Sequence, residues 1–144
     1  MNESSLPALE CLSASFRRAA RALTQHYGEA LRPLGLTSSQ FTILQALSRT
    51  GTISQGQLGQ ILSMDSTTLT RTLNVMARHG WVEKLRGNDR RERQLRLARL
   101  GHAQLNRALP VWQRVQARLR RKLGDEPWQT VLTLANRVTS AVTE

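Results

Sequence analysis

The sequence predicts a mainly α-helical chain of six helices, with one two-stranded β-hairpin between the fourth and the fifth. Three observations carry that reading. Apolar residues recur every three or four positions over long stretches, the period of one helix face. Two of those stretches open with a capping box, a Ser or Thr followed three residues later by Gln. Between residues 81 and 97 the period drops to two, as strands require. At 144 residues the chain has the length of one ordinary domain, so a single unit over 1–144 is expected.

The first helix is read from Leu12 to Leu31, with Leu12, Phe16, Ala19, Leu23, Tyr27 and Leu31 on one face. Pro33 and Gly35 break it. Thr37 and Gln40 then form a capping box, and Leu36 with Phe41 a hydrophobic staple. The second helix starts there, turns Phe41, Leu44 and Leu47 inward and stops before Gly51. Thr52-Ile53 leaves room only for a very short strand. Ser54 and Gln57 repeat the capping box and open a short helix that buries Leu58, Ile61 and Leu62 and ends near Ser63. Asp65, with Met64 and Leu69 in staple positions, caps a fourth helix that buries Leu69, Leu73 and Met76 before Gly80 ends it. Two short helices joined by a tight turn make a helix-turn-helix, a spacing that a small helical bundle would share.

Residues 81–86 and 93–97 alternate around Gly87-Asn88-Asp89-Arg90-Arg91-Glu92, which gives a hairpin with a basic tip. Leu105, Leu109, Trp112, Val115, Leu119 and Leu123 return to helical period. Pro110 lies inside that fifth helix, where a kink or a split is expected because proline has no N–H to donate. Trp128, Leu132, Ala135, Val138 and Val142 mark the sixth helix, and Trp112 and Trp128 are expected in packing or in the wall of a ligand cavity.

Lys and Arg total 21 against 10 Asp and Glu, a formal charge of +11, and nearly all the cations are arginine. A polyanion partner is implied, since the guanidinium fork suits phosphate oxygens and guanine edges. Aromatics are only 4% of the chain, which argues against the stacking platforms of single-strand binders and in favour of duplex DNA. No stretch reaches the roughly 18 apolar residues of a membrane span, and Met1 to Glu10 lacks the basic start and apolar centre of a signal peptide, so a soluble, cytoplasmic protein is expected. His26, His79 and His102 stand apart from one another and from any nucleophile or carboxylate at catalytic or metal-ligand spacing. Neither enzymatic activity nor a metal or other cofactor is expected.

On the fourth helix the residues not needed for packing are Ser66, Thr67, Thr70, Arg71, Asn74 and Arg78. No acidic residue lies between Ser66 and His79. Hydroxyls and Asn can bond phosphates or adenine edges, and Arg can take guanine O6 and N7 together, so this face suits the major groove. Between Lys84 and Arg99 seven residues are basic (Lys84, Arg86, Arg90, Arg91, Arg93, Arg96, Arg99) against two acids, Asp89 and Glu92. A hairpin of that charge beside a helix-turn-helix can place a tip arginine, Arg90 or Arg91, in the minor groove, whose negative potential is greatest where it is narrow.

The chain resembles the MarR family from about Leu12 to Ala141. The resemblance rests on Leu34-Gly35-Leu36-Thr37 with Gln40-Phe41, on Thr68-Leu69-Thr70-Arg71, on His79-Gly80-Trp81-Val82, and on Asn88-Asp89-Arg90-Arg91 ahead of Leu97 and Gly101. It implies a winged helix-turn-helix with a two-stranded β wing, DNA-binding over about 34–100, with dimerisation helices at about 9–33 and 101–143. It also implies a homodimer on a near-palindromic operator, the fourth helix in the major groove and the wing in the minor groove. The wing motif Asp-x-Arg falls on Asp89 and Arg91, with the acid holding the minor-groove arginine. A small-molecule effector that favours wrongly spaced recognition helices would release the DNA. One departure is Leu97-Ala98 where Leu-Thr is usual: alanine cannot cap, so the fifth helix is expected to start differently or to be tied less firmly to the wing.

Cys11 cannot form an internal disulfide, being the one cysteine of the chain. In a peroxide-sensing branch of the family the sensing position falls on Ser13, about 200° further around the helix from Cys11. A plain interface cysteine is therefore expected, with redox sensing at Cys11 as the alternative. The other alternative is a sequence-independent DNA-coating protein, for which the arginine charge alone would suffice.

Overall fold

The computed structural model describes residues 6–86 and 92–143. Helix α1 runs Leu12–Leu31 and passes through a single 3₁₀ turn, Arg32–Leu34, into α2, Ser38–Thr50. Both halves of the Thr37 capping box are formed: the Thr37 hydroxyl accepts from the Gln40 N–H at 3.1 Å, and the Gln40 side chain accepts from the Thr37 N–H at 3.0 Å. Strand β1 (Ile53–Ser54) leads directly into α3 (Gln55–Leu62), whose Ser54–Gln57 box closes in the same reciprocal way. Helix α4, Ser66–Arg78, starts from Asp65, which accepts from the Thr68 N–H at 2.8 Å.

The end of α4 is set by Gly80. At φ +76° it takes the left-handed conformation, its N–H bonds the Ala77 carbonyl, and the Trp81 N–H reaches back to Met76. Those two bonds form a Schellman motif, and Trp81 and Met76 both lie in the core as its apolar contact. The chain leaves this turn as β2 (Val82–Arg86), returns as β3 (Arg93–Leu97), and enters α5 (Arg99–Leu123) and α6 (Asp125–Thr143).

The hairpin expectation is extended in one respect. The short strand falls on Ile53–Ser54 rather than Thr52-Ile53, and pairs antiparallel with β3 (Ile53 with Leu95, Ser54 with Gln94), so the sheet has three strands in the order β1-β3-β2. Its inner face, Val82, Leu95 and Leu97, closes over Ile43, Leu44, Leu47, Leu58, Leu69, Leu73 and Met76. That is the core of the lobe, and it orients α4 with its polar face outward.

Two expectations about α5 are corrected. Of the kink or split expected at Pro110, the split does not occur: α5 runs unbroken from Arg99 to Leu123, with Pro110 exposed and Ala108 and Val115 on either side buried. Nor is the junction with the wing loose. Ala98 supplies no side-chain cap, but its N–H bonds the Trp81 carbonyl at 3.0 Å. One turn on, Gly101 lies so close to that same carbonyl that a Cβ there would overlap it. Backbone contact thus replaces the missing cap.

The terminal helices are built differently. Helix α6 buries none of its residues, and Phe16 and Leu23 on α1 and Val131, Leu132 and Leu134 on α6 are exposed. No helix among the described residues is long and apolar enough to cross a membrane.

Candidate nucleic-acid interface

Helix α4 has two faces because its apolar residues fall three or four apart. Leu69, Leu73 and Met76 are buried at 1% exposure or less, which leaves Thr67, Arg71, Asn74 and Arg78, at successive turns, exposed on the opposite side. Ser66, Thr67, Thr70, Arg71 and Asn74 line one shallow depression along this face. The Asp65 carboxylate at the helix start is lowered below its ordinary value, mainly by the Thr68 N–H and hydroxyl that bond it. Its charge is committed to the cap, at one end of an otherwise polar and cationic face.

Register decides which cations of the wing share that side. Arg86 lies directly opposite Arg93, and Lys84 opposite Leu95. Paired residues in an antiparallel ladder point to the same face, and alternate pairs share it, so Lys84, Arg86 and Arg93 continue the face that begins with Val82, Leu95 and Leu97. Glu83 and Arg96 form the pair between and point the other way, where they make an ion pair at 2.6 Å. The other ion pair among the described residues, Arg120 with Asp125, is on the terminal helices.

The wing's cations are thereby sorted: one face neutralises its arginine, and the other sets two arginines across from each other beside a lysine. Like charges directly opposite destabilise a sheet. Partial burial, and then the charge of Arg93, push the Lys84 ammonium below the ordinary lysine value. An anion lying over this face would relieve both strains.

Two contacts tie the helix to its surroundings. Lys84 Nζ donates to Asn74 Oδ1, joining the wing to the middle of α4. Gln55 Nε2, on the first residue of α3, donates to Thr70 Oγ1 at 2.8 Å. Gln55 was not among the residues singled out from sequence, where it stood only as an interior position of a capping box. It also lines, with Gln60, Thr70, Glu92 and Arg93, a groove of about 660 Å³ between α3, α4 and β3.

Of the expected contact residues, Ser66, Thr67, Thr70, Arg71, Asn74 and Arg78 lie together on α4, and Lys84, Arg86 and Arg93 together on the wing. Asp89, Arg90 and Arg91 lie outside the described residues. Cys11 is exposed and is the N-cap residue of α1, on an element apart from this surface. Among the described residues no group of three or more His, Cys, Asp or Glu could hold a metal ion.

A family model described as the MarR family matches residues 34–92, the stretch from the 3₁₀ turn through α4 to the wing. An uncharacterized HTH-type transcriptional regulator of Bacillus subtilis, YwoH, is 34% identical over 76 residues, 53% of this chain and 56% of that protein. The multiple antibiotic resistance protein MarR of Escherichia coli is 39% identical over 64 residues, 44% of each chain. These alignments thus span about half the length of the curated relatives.

The likeness to solved structures runs further. The Mycobacterium tuberculosis transcriptional regulator MosR in complex with DNA matches with a TM-score of 0.83 at 39% identity, over 92% of this chain and 96% of that one. A mutant of E. coli MarR complexed with operator DNA matches with a TM-score of 0.78 at 28% identity, over 88% and 92%.

Proposed function

We propose, from the premise that this chain belongs to the MarR family, that it is a sequence-specific double-stranded DNA-binding transcriptional regulator, a ligand-responsive repressor acting as a homodimer in the cytoplasm. The observation that carries this reading is the single surface shared by α4 and the inner edge of the wing. Thr67, Arg71, Asn74 and Arg78 project from the helix, and Lys84, Arg86 and Arg93 stand beside them with like charges opposed. An α-helix fits the major groove, where arginine reads guanine, while the flanking cations hold phosphates and fix register. Arg91, in the sequence between β2 and β3, is the proposed minor-groove residue. Solved DNA complexes of MosR and MarR share the fold. The role needs binding alone, and the protein is not an enzyme.

We assign residues 34–100 to the DNA-binding lobe, and 9–33 and 101–143 to dimerisation. The apolar faces left open on α1 and α6 support this, since a surface of that kind needs a second copy to cover it. A two-fold dimer presents two recognition helices to half-sites about 34 to 36 Å apart, so an effector need only favour a different spacing to weaken binding.

Mapping the duplex sites that the protein protects across its source genome tests the proposal. The expected result is a shared near-palindromic motif with half-sites one helical turn apart. Protection spread without a common motif would favour a coating protein, for which charge suffices.

A further inference from the structure

We infer that Lys84 is a specificity-determining positioning residue, which turns Asn74 into a hydrogen-bond donor toward DNA and so selects guanine or thymine rather than adenine at the base Asn74 meets. The inference rests on the reading of α4 as the major-groove helix.

A carboxamide carries an acceptor oxygen and a donor nitrogen, and reads adenine by using both at once, accepting from N6 and donating to N7. Lysine's ammonium has three donors and no acceptor. The Asn74 atom facing Lys84 Nζ is therefore the oxygen, and the orientation of the amide follows from the partner.

Lys84 reaches Asn74 from strand β2, ten residues further along the chain, so Oδ1 is engaged by the wing and the polar group that remains on the amide is Nδ2, a donor. Asn74 is exposed, at the middle of the polar face, and lines the same depression as Thr67, Thr70 and Arg71. Thr70 is held in the same sense. Its oxygen accepts from Gln55 Nε2, and its own hydrogen remains to donate. With Arg71, which can only donate, the centre of the face presents three donors in a row.

Acceptors in the major groove are guanine O6 and N7, thymine O4 and adenine N7, and adenine and cytosine also place an amino donor there. A face of donors tolerates guanine and thymine, and is opposed at adenine N6 and cytosine N4. Lys84 thus acts through Asn74, and the charge it brings to the wing is separable from the polarity it imposes.

The test is enrichment of bound duplexes from a random library by the full-length protein and by Lys84→Met, Lys84→Arg and Asn74→Ala. The wild type is expected to enrich a motif in which the base pair that loses its preference in Asn74→Ala carries guanine or thymine toward the helix. Lys84→Met, with Oδ1 released, should gain adenine there by about tenfold relative to wild type, while Lys84→Arg, which keeps a donor, should keep the wild-type preference. A Lys84→Met protein that binds more weakly at every sequence with the same base preference would show a charge contact only, and would overturn the inference while leaving the regulator intact. Adenine at that position in the wild-type motif would overturn it too. No motif from any of the proteins would overturn sequence-specific binding and the inference with it.

As a check made on the DNA, 6-thioguanine placed at a guanine in that position, which keeps N7 and weakens the acceptor that adenine lacks, should weaken the wild type several-fold and leave Asn74→Ala unaffected. Equal weakening of both proteins would contradict the assignment of that base to Asn74.

Discussion

The winged lobe and the terminal helices solve the problem of burial in opposite ways. In the lobe, Ile43, Leu44, Leu58, Leu73, Met76 and Leu95 are wholly buried within one chain, and three helix starts are capped by side chains. Helix α6 buries nothing within the chain and leaves Val131, Leu132 and Leu134 about half exposed. The lobe's core is therefore complete within one chain, whereas α6, covered by a second copy in the proposed dimer, is expected to gain stability with protein concentration. Substitutions should separate the two: changes in the lobe should lower stability whatever the concentration, and changes on α6 should alter assembly first.

The largest effect is expected where lobe and long helix meet. Gly101→Ala sets a Cβ against the Trp81 carbonyl, a backbone atom that cannot swing aside without shifting the wing, and should cost on the order of 3 kcal/mol. Chemical denaturation checks this. A variant as stable as the wild type would show that the close approach of α5 to the wing is not needed.

Next comes Leu132→Glu on α6, which should leave the lobe folded and the near-ultraviolet signal of Trp81 in place. Sedimentation should show monomers. DNA affinity should fall roughly 100-fold, because two linked half-site contacts become one. Loss of the lobe's cooperative unfolding in this variant would mean that the two regions are a single unit.

The same contrast can be drawn within the wing. Arg93→Ala, on the face that α4 shares, should weaken DNA binding and reduce the slope of log affinity against log salt by about one; Arg96→Ala, whose guanidinium Glu83 already neutralises, should change neither by much. Equal effects would erase the distinction between the faces.

The smallest expected effect is at the start of α4. The Asp65 carboxylate is lowered in the fold, so its contribution is complete above the ordinary aspartate value and is lost as the pH falls through the lowered one. Asp65→Asn keeps an oxygen acceptor for the Thr68 N–H but no longer titrates there. Melting temperature plotted against pH should fall less steeply for the variant in that acidic window, and coincident curves would show that the cap is not linked to pH.

Much of this could be read from residue order. The span of α1, both capping boxes, the Asp65 cap and the alternation of 82–86 and 93–97 are local patterns, and local patterns are what sequence displays. Strand β1 was only half legible, since two residues carry no period and its pairing depends on where β3 passes. At Pro110 the split was not legible as excluded, because Ala108 and Val115, buried on either side of it, are anchored by elements distant in sequence. The missing cap at Ala98 was visible, but its replacement by Trp81 and Gly101 exists only once the wing folds back. Within the interface, the face of α4 was legible for the same periodic reason. The partners that orient it, Gln55 for Thr70 and Lys84 for Asn74, were not, because each contact joins elements whose crossing no local pattern reports.

The central claim, that α4 and the wing form a surface that recognises particular duplex sequences, is tested most directly by competition. The protein would be bound to a labelled duplex carrying the motif from genomic protection and titrated with unlabelled duplex of the same motif or of random sequence, at near-physiological salt. Random duplex is expected to be needed in about 1,000-fold or greater excess over the motif to displace the label equally, the lower end of the usual gap between specific and non-specific binding. Equal displacement by the two competitors would contradict that claim and leave only a basic protein that coats DNA.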